Sequence, residues 1–302
     1  MAVDGADALQ RFIFERARVR GELVRLDDTW REVRRRRDYP EPVRNALGEL
    51  TEASVLLAAT LKIRGGALVL QIQGGRPVNL LVVECQAELS VRAMARWDGG
   101  LPALGPQPTL RDLAGGGRCV ITLDPGGRMT AYQGIVPLEG HTTAQVLERY
   151  MARSEQIGTL FALAASDERA AGLMIQRLPE EGGKPAPEDD RDVWTRVGHL
   201  AATLTRAELL ERPSGDILRR LFGDDALRLF ETVGVRFACR CSRERVAGLL
   251  RMVGVEEVRE ALAEQGSIEV TCEFCGQRYP VSREDAERAL ADTGGKTPQR
   301  AV

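Results

Sequence analysis

The sequence predicts an α+β protein: a large N-terminal domain with a mainly antiparallel sheet and packed helices, a helical linker, and a small C-terminal module built on four cysteines. Three observations predict it. Short β-branched and apolar runs punctuated by Gly and Pro fill the first 178 residues without alternating strictly with helices, which argues against a doubly wound parallel sheet. The stretch 179–191 is Pro, Gly and acidic residues with no apolar face, as in a linker. Beyond it, Cys239-Arg240-Cys241 and Cys272-Glu273-Phe274-Cys275 stand thirty residues apart.

The elements follow in order. Residues 8–26 carry Phe12-Ile13-Phe14 and Leu23-Val24 among arginines and read as one or two half-exposed strands. Pro40-Glu41-Pro42 opens a helix through Ala59. Its apolar residues Leu47, Leu50, Val55 and 57–59 become nearly continuous, so the helix is expected to be buried. Strands are expected at 67–73, 78–85 and 89–97, then a Pro/Gly-rich loop over 99–117. The run 119–123, the turn Asp124-Pro125-Gly126-Gly127 and the run 129–138 read as a hairpin. Thr142-Thr143 caps a helix to about residue 156, and 160–165 and 171–178 are strands closing a domain over 1–178.

A metastable helical linker is expected over 179–230. Val193, Val197, Leu200 and Leu204 are spaced for a helix, while Pro213 and Gly215 interrupt the pattern. Such short, charged helices are marginal alone and depend on packing against a partner. The module spans 231–292. Ser242 caps a helix through about 252, 255–264 is a second, 268–270 and 279–281 form a hairpin around Cys272, and Ser282 caps a last helix. Residues 293–302 are expected to be a mobile tail.

Bulk composition bounds the function. The 302 residues are 43% hydrophobic and 28% charged, with a net charge of -2. That balance lacks the basic excess of a nucleic-acid or anionic-membrane binder. Lysine occurs only at Lys62, Lys184 and Lys296, a composition bias in favour of Arg. The local run Arg34 to Arg37 has no neighbouring aromatics and is expected on a solvated helix face or its end. No run approaches the roughly eighteen apolar residues of a membrane span, and Met1-Ala2-Val3-Asp4-Gly5 lacks the features of a secretory leader. A cytoplasmic location follows as the expectation, with the six cysteines in a reducing compartment that favours metal binding or redox sensing over permanent disulfides.

The chemistry concentrates in the four paired cysteines. Cys239, Cys241, Cys272 and Cys275 supply a full thiolate tetrahedron for one Zn2+ per chain, with sulfur about 2.3 Å from the metal and no call on the distant His141 or His199. Small zinc sites contribute about 10–16 kcal/mol, against roughly 5–15 kcal/mol for the whole stability of many domains. Zinc removal is therefore expected to unfold this C-terminal zinc module. Oxidation offers a trigger: a sulfenic acid formed on one thiolate is resolved by its neighbour into a disulfide, which is a poor ligand. Arg240, Arg243 and Arg245 are expected to favour thiolate at the first pair. The spacing leaves both a permanent clip and a redox switch open.

Other reactive residues have plainer readings. Cys85 and Cys119 lie in apolar strand patterns as buried, unreactive core. His141 reads as a turn residue and His199 as helix surface or packing. Gly115-Gly116-Gly117 is not followed by the Lys-Ser/Thr of a phosphate loop, and neither a Gly-x-Ser-x-Gly elbow nor a His-Glu-x-x-His pair is present. No catalytic residue is assigned, and an enzyme is not expected.

The segments Phe237-Ala-Cys-Arg-Cys-Ser-Arg-Glu-Arg245 and Ile268-Glu-Val-Thr-Cys-Glu-Phe-Cys-Gly276 resemble the zinc module of the bacterial redox-regulated heat-shock chaperone of 33 kDa, the heat shock protein 33 family. Arg20-Gly-Glu-Leu-Val24, Asp38-Tyr-Pro-Glu-Pro-Val43, Tyr132-Gln-Gly-Ile-Val136, Arg153-Ser-Glu-Gln156 and Ala171-Gly-Leu-Met174 extend the likeness over nearly the whole chain. The resemblance implies a cytosolic, ATP-independent holdase, inactive while reduced and zinc-bound. Oxidation with mild unfolding stress is then expected to form the disulfides Cys239–Cys241 and Cys272–Cys275, release zinc and disorder the linker. The resemblance further implies a monomer when reduced, a homodimer when oxidised, unfolding client proteins as partners, and ATP-driven foldase chaperones downstream.

Two readings compete. A zinc-ribbon nucleic-acid binder requires a basic face, which the net charge does not supply. A thiol–disulfide oxidoreductase using Cys272-Glu-Phe-Cys275 leaves the first pair without a role.

Overall fold

In the computed structural model, residues 7–61, 65–99, 101, 108–127, 129–179 and 188–291 are described. The expectations for the N-terminal leader, for most of the Pro/Gly linker and for the tail lie outside them, as do Lys62, Lys184 and Lys296. The chain divides into two compact units, Met1–Ala238 and Cys239–Val302.

The first unit holds two six-stranded sheets. Strands β1 (Ala8–Phe14) and β2 (Val19–Leu26) form a hairpin, as the sequence suggested. They are joined by β8 (Thr159–Ala165) and β9 (Ala170–Arg177), and on the far side by β10 (Leu227–Leu229) and β11 (Val233–Gly234), every pairing antiparallel. The second sheet contains β3 (Ala67–Gln73), β4 (Val78–Gln86), β5 (Ser90–Trp97), β6 (Arg118–Asp124), β7 (Tyr132–Pro137) and β12 (Arg236–Phe237), in the order β12-β5-β4-β3-β6-β7. Only the short β12 runs parallel to its neighbour among the described strands. The fold is thus α+β and mainly antiparallel, with two sheets where one was expected.

Helix α2 (Glu41–Thr60) explains the arrangement. Pro42 sits in its first turn, where a missing N–H is harmless, and every residue from 50 to 58 is buried. A stretch buried on every side must be covered on every side, and the apolar residues of α2 share one core with both sheets.

The first sheet is also covered on its other face. Along β9, Ala170 and Met174 enter the core shared with α2, while Ala171, Leu173 and Ile175 enter a second core. Three helices complete that second core: α5 (Glu188–Ala202), α6 (Arg206–Glu211) and α7 (Ser214–Phe222). They contribute Val197, Ala201, Leu209, Ile217, Leu221 and Phe222. A capping box between Thr205 and Glu208 starts α6, and Arg196 binds Asp225 through two hydrogen bonds of 2.5 and 2.9 Å. The helical run ends at Phe222, short of the expected residue 230. After Gly223, Leu227 and Leu229 lie on a strand that takes up free backbone groups at the edge of β1.

Two short helices went unread: α1 (Asp28–Arg34) and α3 (Leu110–Ala114), the latter inside the expected loop, while the helix expected behind Thr142 is α4 (Thr143–Tyr150). Helix α3 ends on Gly115 at φ 61°, and a side chain at Gly117 would collide with the Gln73 carbonyl, so the triple glycine stops a helix against a strand. The Arg34–Arg37 run lies at the end of α1 with Arg35 and Arg37 exposed, as expected, and its side chains are also engaged. Arg34 pairs with Asp167 at 2.7 Å, Arg35 and Arg36 with Glu32 at 2.7 Å, and Arg37 stacks over Trp97 at 4.4 Å from the ring centre.

Burial raises the carboxyls of Glu22 and Glu49 to about 7 and that of Glu52 well above its ordinary range. Arg20 and Arg11 oppose this at Glu22, and Thr143 and Arg206 oppose it at Glu49. Below pH about 4.5 both native and unfolded forms are protonated. Between there and about 7 only the native form keeps the proton, so stability falls as pH rises. One such carboxyl accounts for up to about 3 kcal/mol, and less for Glu49, whose side chain keeps 21% of its surface exposed. Glu49→Gln is therefore expected to raise stability at pH 7.5 and flatten its decline from pH 5. Urea unfolding followed by tryptophan fluorescence checks this, because Trp30, Trp97 and Trp194 all lie in the first unit.

Candidate metal centre

The second unit has a small core of Leu250, Val258, Leu262, Val281, Ala286 and Ala289. Ser242 caps α8 (Arg243–Val253), accepting the Arg245 amide at 3.3 Å, and α9 (Val255–Gln265) follows. Strands β13 (Ile268–Thr271) and β14 (Arg278–Val281) pair as a hairpin, and α10 (Arg283–Ala291) closes the unit behind Ser282. The sequence located all five elements.

The hairpin's tip is Cys272 to Gln277. The Cys272 amide donates to the Gln277 carbonyl at 2.9 Å, and the Gly276 amide to the Cys272 carbonyl at 2.7 Å, with Gly276 at φ 71° where glycine is favoured. This turn aims amides at sulfur: Phe274 and Cys275 donate to Cys272, and Gln277 to Cys275. The first pair, Cys239 and Cys241, lies immediately before α8.

All four sulfurs lie within 4.8 Å of one another, and each residue is half-buried. Cys239 Sγ is 3.7 Å from Cys272 Sγ, and Cys241 Sγ is 3.3 Å from Cys275 Sγ. A tetrahedron with Zn–S bonds of 2.3 Å has sulfur–sulfur edges of about 3.8 Å, so the donor set fits that ion in chemistry and size. The Cys272 thiol is pushed strongly upward, first by its hydrogen bond with Cys239 and then by burial. Cys275 is pushed up to about 11, first by burial. Four crowded sulfurs resist ionising together, and a divalent cation reverses that preference.

One residue was missed. Tyr279 on β14 donates its phenol to Cys241 Sγ at 3.1 Å, and that bond is the first cause that raises the phenol to about 12. Its signal in the sequence was register, because Tyr279 pairs with Val270, two residues before Cys272.

The remaining candidates stand apart. Cys85 and Cys119 are fully buried in the first unit, and burial raises both thiols, Cys119 to about 12. His141 is an exposed turn residue whose amide donates to Gln145 Oε1 at 2.8 Å, and His199 is exposed on α5.

The Hsp33 protein family model matches residues 7–282, a span that reaches into both units and includes all four clustered cysteines. The chain belongs to the Hsp33 family. Among similar proteins, the 33 kDa chaperonin of Methylobacillus flagellatus is 46% identical over 283 residues, 94% of each chain. That of Chromobacterium violaceum is 47% identical over 289 residues, 95% of each chain. The crystal structure of the 33 kDa chaperonin, a heat shock protein 33 homolog, from Thermotoga maritima superposes with a TM-score of 0.79 at 24% identity. It covers 94% of this chain and 98% of that one, and the likeness establishes the Hsp33 fold. No helix among the described residues is long and apolar enough to cross a membrane.

Proposed function

We propose that the chain is a redox-regulated, ATP-independent holdase, silent when reduced and zinc-bound, active when oxidised, that keeps unfolding proteins from aggregating. One observation carries the reading. A four-sulfur cluster closes a unit with a small core, in the same chain as an apolar sheet face roofed by three short helices.

In the reduced state Cys239, Cys241, Cys272 and Cys275 hold one Zn2+, which when bound neutralises crowded thiolate charge and closes the module. Oxidation to the disulfides Cys239–Cys241 and Cys272–Cys275, the pairing the family resemblance supports, destroys the ligand set. All four sulfurs lie close enough to make this a short movement, although the separations of 3.7 and 3.3 Å run between the pairs.

The chain itself carries the effect. The Ala238 amide donates to the Val91 carbonyl at 3.1 Å, and the next residue is the ligand Cys239. Disorder entering at Cys239 meets the short β12, β11 and β10 before it reaches α7. The segment 179–230 is the metastable element of this reading, between a core over 1–178 and a module over 231–292 with its tail 293–302. Its three helices are 15, 6 and 9 residues long, too short to persist once undocked. Their release uncovers Phe12, Phe14, Val19, Leu23, Leu173 and Ile175, a contiguous apolar surface of the kind that binds exposed hydrophobic segments.

The protein acts in the cytoplasm, passes its clients to ATP-driven foldases, and is a monomer when reduced and a homodimer when oxidised. The test is peroxide with mild warming, followed by zinc release, disulfide mapping and light scattering of a heat-unfolding client. One zinc released per chain, two disulfides and suppressed aggregation are expected. Complete zinc loss without holdase activity rejects the switch.

A further inference from the structure

We propose that Tyr279 sets the oxidant threshold of the centre by holding the reactive lone pair of Cys241, an inference that rests on the zinc–thiolate reading above. Register and distance motivate it. Strand β14 pairs Tyr279 with Val270, which brings the phenol beside the centre, with its oxygen 3.1 Å from Cys241 Sγ. A metal-bound thiolate has no proton to give, so the phenol donates and the sulfur accepts.

The donors to Cys241, Cys272 and Cys275 differ in kind. Those to Cys272 and Cys275 are backbone amides of the turn 272–277, built into its fold and shared by any sequence that adopts it. The donor to Cys241 is a side chain, so sequence alone tunes it.

The consequence is chemical. In the first oxidative step a Cys241 lone pair attacks one oxygen of a peroxide. The O–O bond breaks, hydroxide leaves with its electron pair, and an S–OH bond remains. A neighbouring thiolate then attacks that sulfur, forming S–S and expelling a second hydroxide. Two electrons leave the sulfurs, one peroxide is reduced, and two solvent protons convert the hydroxides to water. A charge-assisted hydrogen bond to the thiolate draws density from the attacking lone pair and steadies the metal-bound form. Tyr279 is therefore a positioning and tuning residue that keeps the centre quiet at low oxidant.

The experiment uses the full-length reduced, zinc-loaded chain and reads peroxide-driven zinc release in wild type, Tyr279→Phe and a chain with 3-fluorotyrosine at position 279. The phenylalanine variant keeps the ring and loses the donor; the fluorinated phenol is a stronger donor. Tyr279→Phe is expected to release zinc about three- to tenfold faster, the scale of part of one charge-assisted hydrogen bond. The fluorotyrosine chain is expected to release it more slowly. Thermal unfolding of the zinc forms is expected to be unchanged. In cobalt-substituted protein, the thiolate-to-metal charge-transfer band is expected to move to lower energy in Tyr279→Phe. Equal release rates at one zinc per chain overturn this inference alone, as does faster release in both variants with a lowered unfolding temperature. A reduced wild type without metal overturns the zinc reading itself.

Discussion

Replacing any one of Cys239, Cys241, Cys272 or Cys275 by serine is expected to unfold the C-terminal unit while the two-sheet core stays folded. The unit's buried core consists of four larger aliphatic side chains and two alanines. A closed zinc site in a small module contributes about 10–16 kcal/mol, more than such a core supplies. Losing one thiolate removes one bond and leaves an open site that water enters. Amide exchange is the direct readout: α8, α9 and α10 lose protection in the serine variants, and in wild type treated with a strong chelator. The buried Trp30, whose indole donates to the Ser166 carbonyl at 2.8 Å, keeps its fluorescence because it belongs to the first unit. Protection of α8–α10 persisting in a metal-free serine variant would show that the module folds without its clamp.

The second large effect concerns the roof on the first sheet. Phe222, only 1% exposed, lies in α7 with its ring centre 5.2 Å from that of Phe14, edge to face, and 6.1 Å from that of Phe12. Phe222→Asp removes an aromatic anchor, a loss of about 3–5 kcal/mol when a buried Phe is truncated, and forces a charge into the same apolar space. Helices of 15, 6 and 9 residues do not absorb that penalty and are expected to undock together. Trp194, which packs against this core from α5, then shifts its emission to the red. The variant is expected to suppress client aggregation in the reduced, zinc-loaded state with no oxidant added. A variant with Trp194 released and zinc bound that leaves clients to aggregate would show that the sheet face is not the client surface.

Much of this was legible in the sequence where one pattern served one purpose. The buried α2 was visible because nothing polar interrupts it from Val55 to Ala59. The cysteine module was legible down to its caps, since Ser242 and Ser282 each precede a helical run and the cysteine spacing fixes the hairpin tip. The second sheet was hidden because strand runs do not state their partners, and separation into two layers follows from α2 being covered on both sides. The clearest missed signal was β9, where Ala171-Gly-Leu-Met-Ile175 has no polar residue at alternate positions. Such a run means that both faces are covered, and it pointed to α5–α7 as the cover. Strands β10 to β12 were illegible because two or three residues carry no periodicity and pair only through the edges that β1 and β5 leave open. Tyr279 escaped because its role depends on cross-strand register.

The central claim is that oxidising the four sulfurs frees the helices over the first sheet. Amide hydrogen exchange on the same peroxide-treated sample tests it most directly. The account predicts that residues 192–222 and 239–291 lose protection together while α2 and the central strands β2, β3 and β4 keep theirs. Lost protection in 239–291 with 192–222 as protected as in the reduced protein would contradict it.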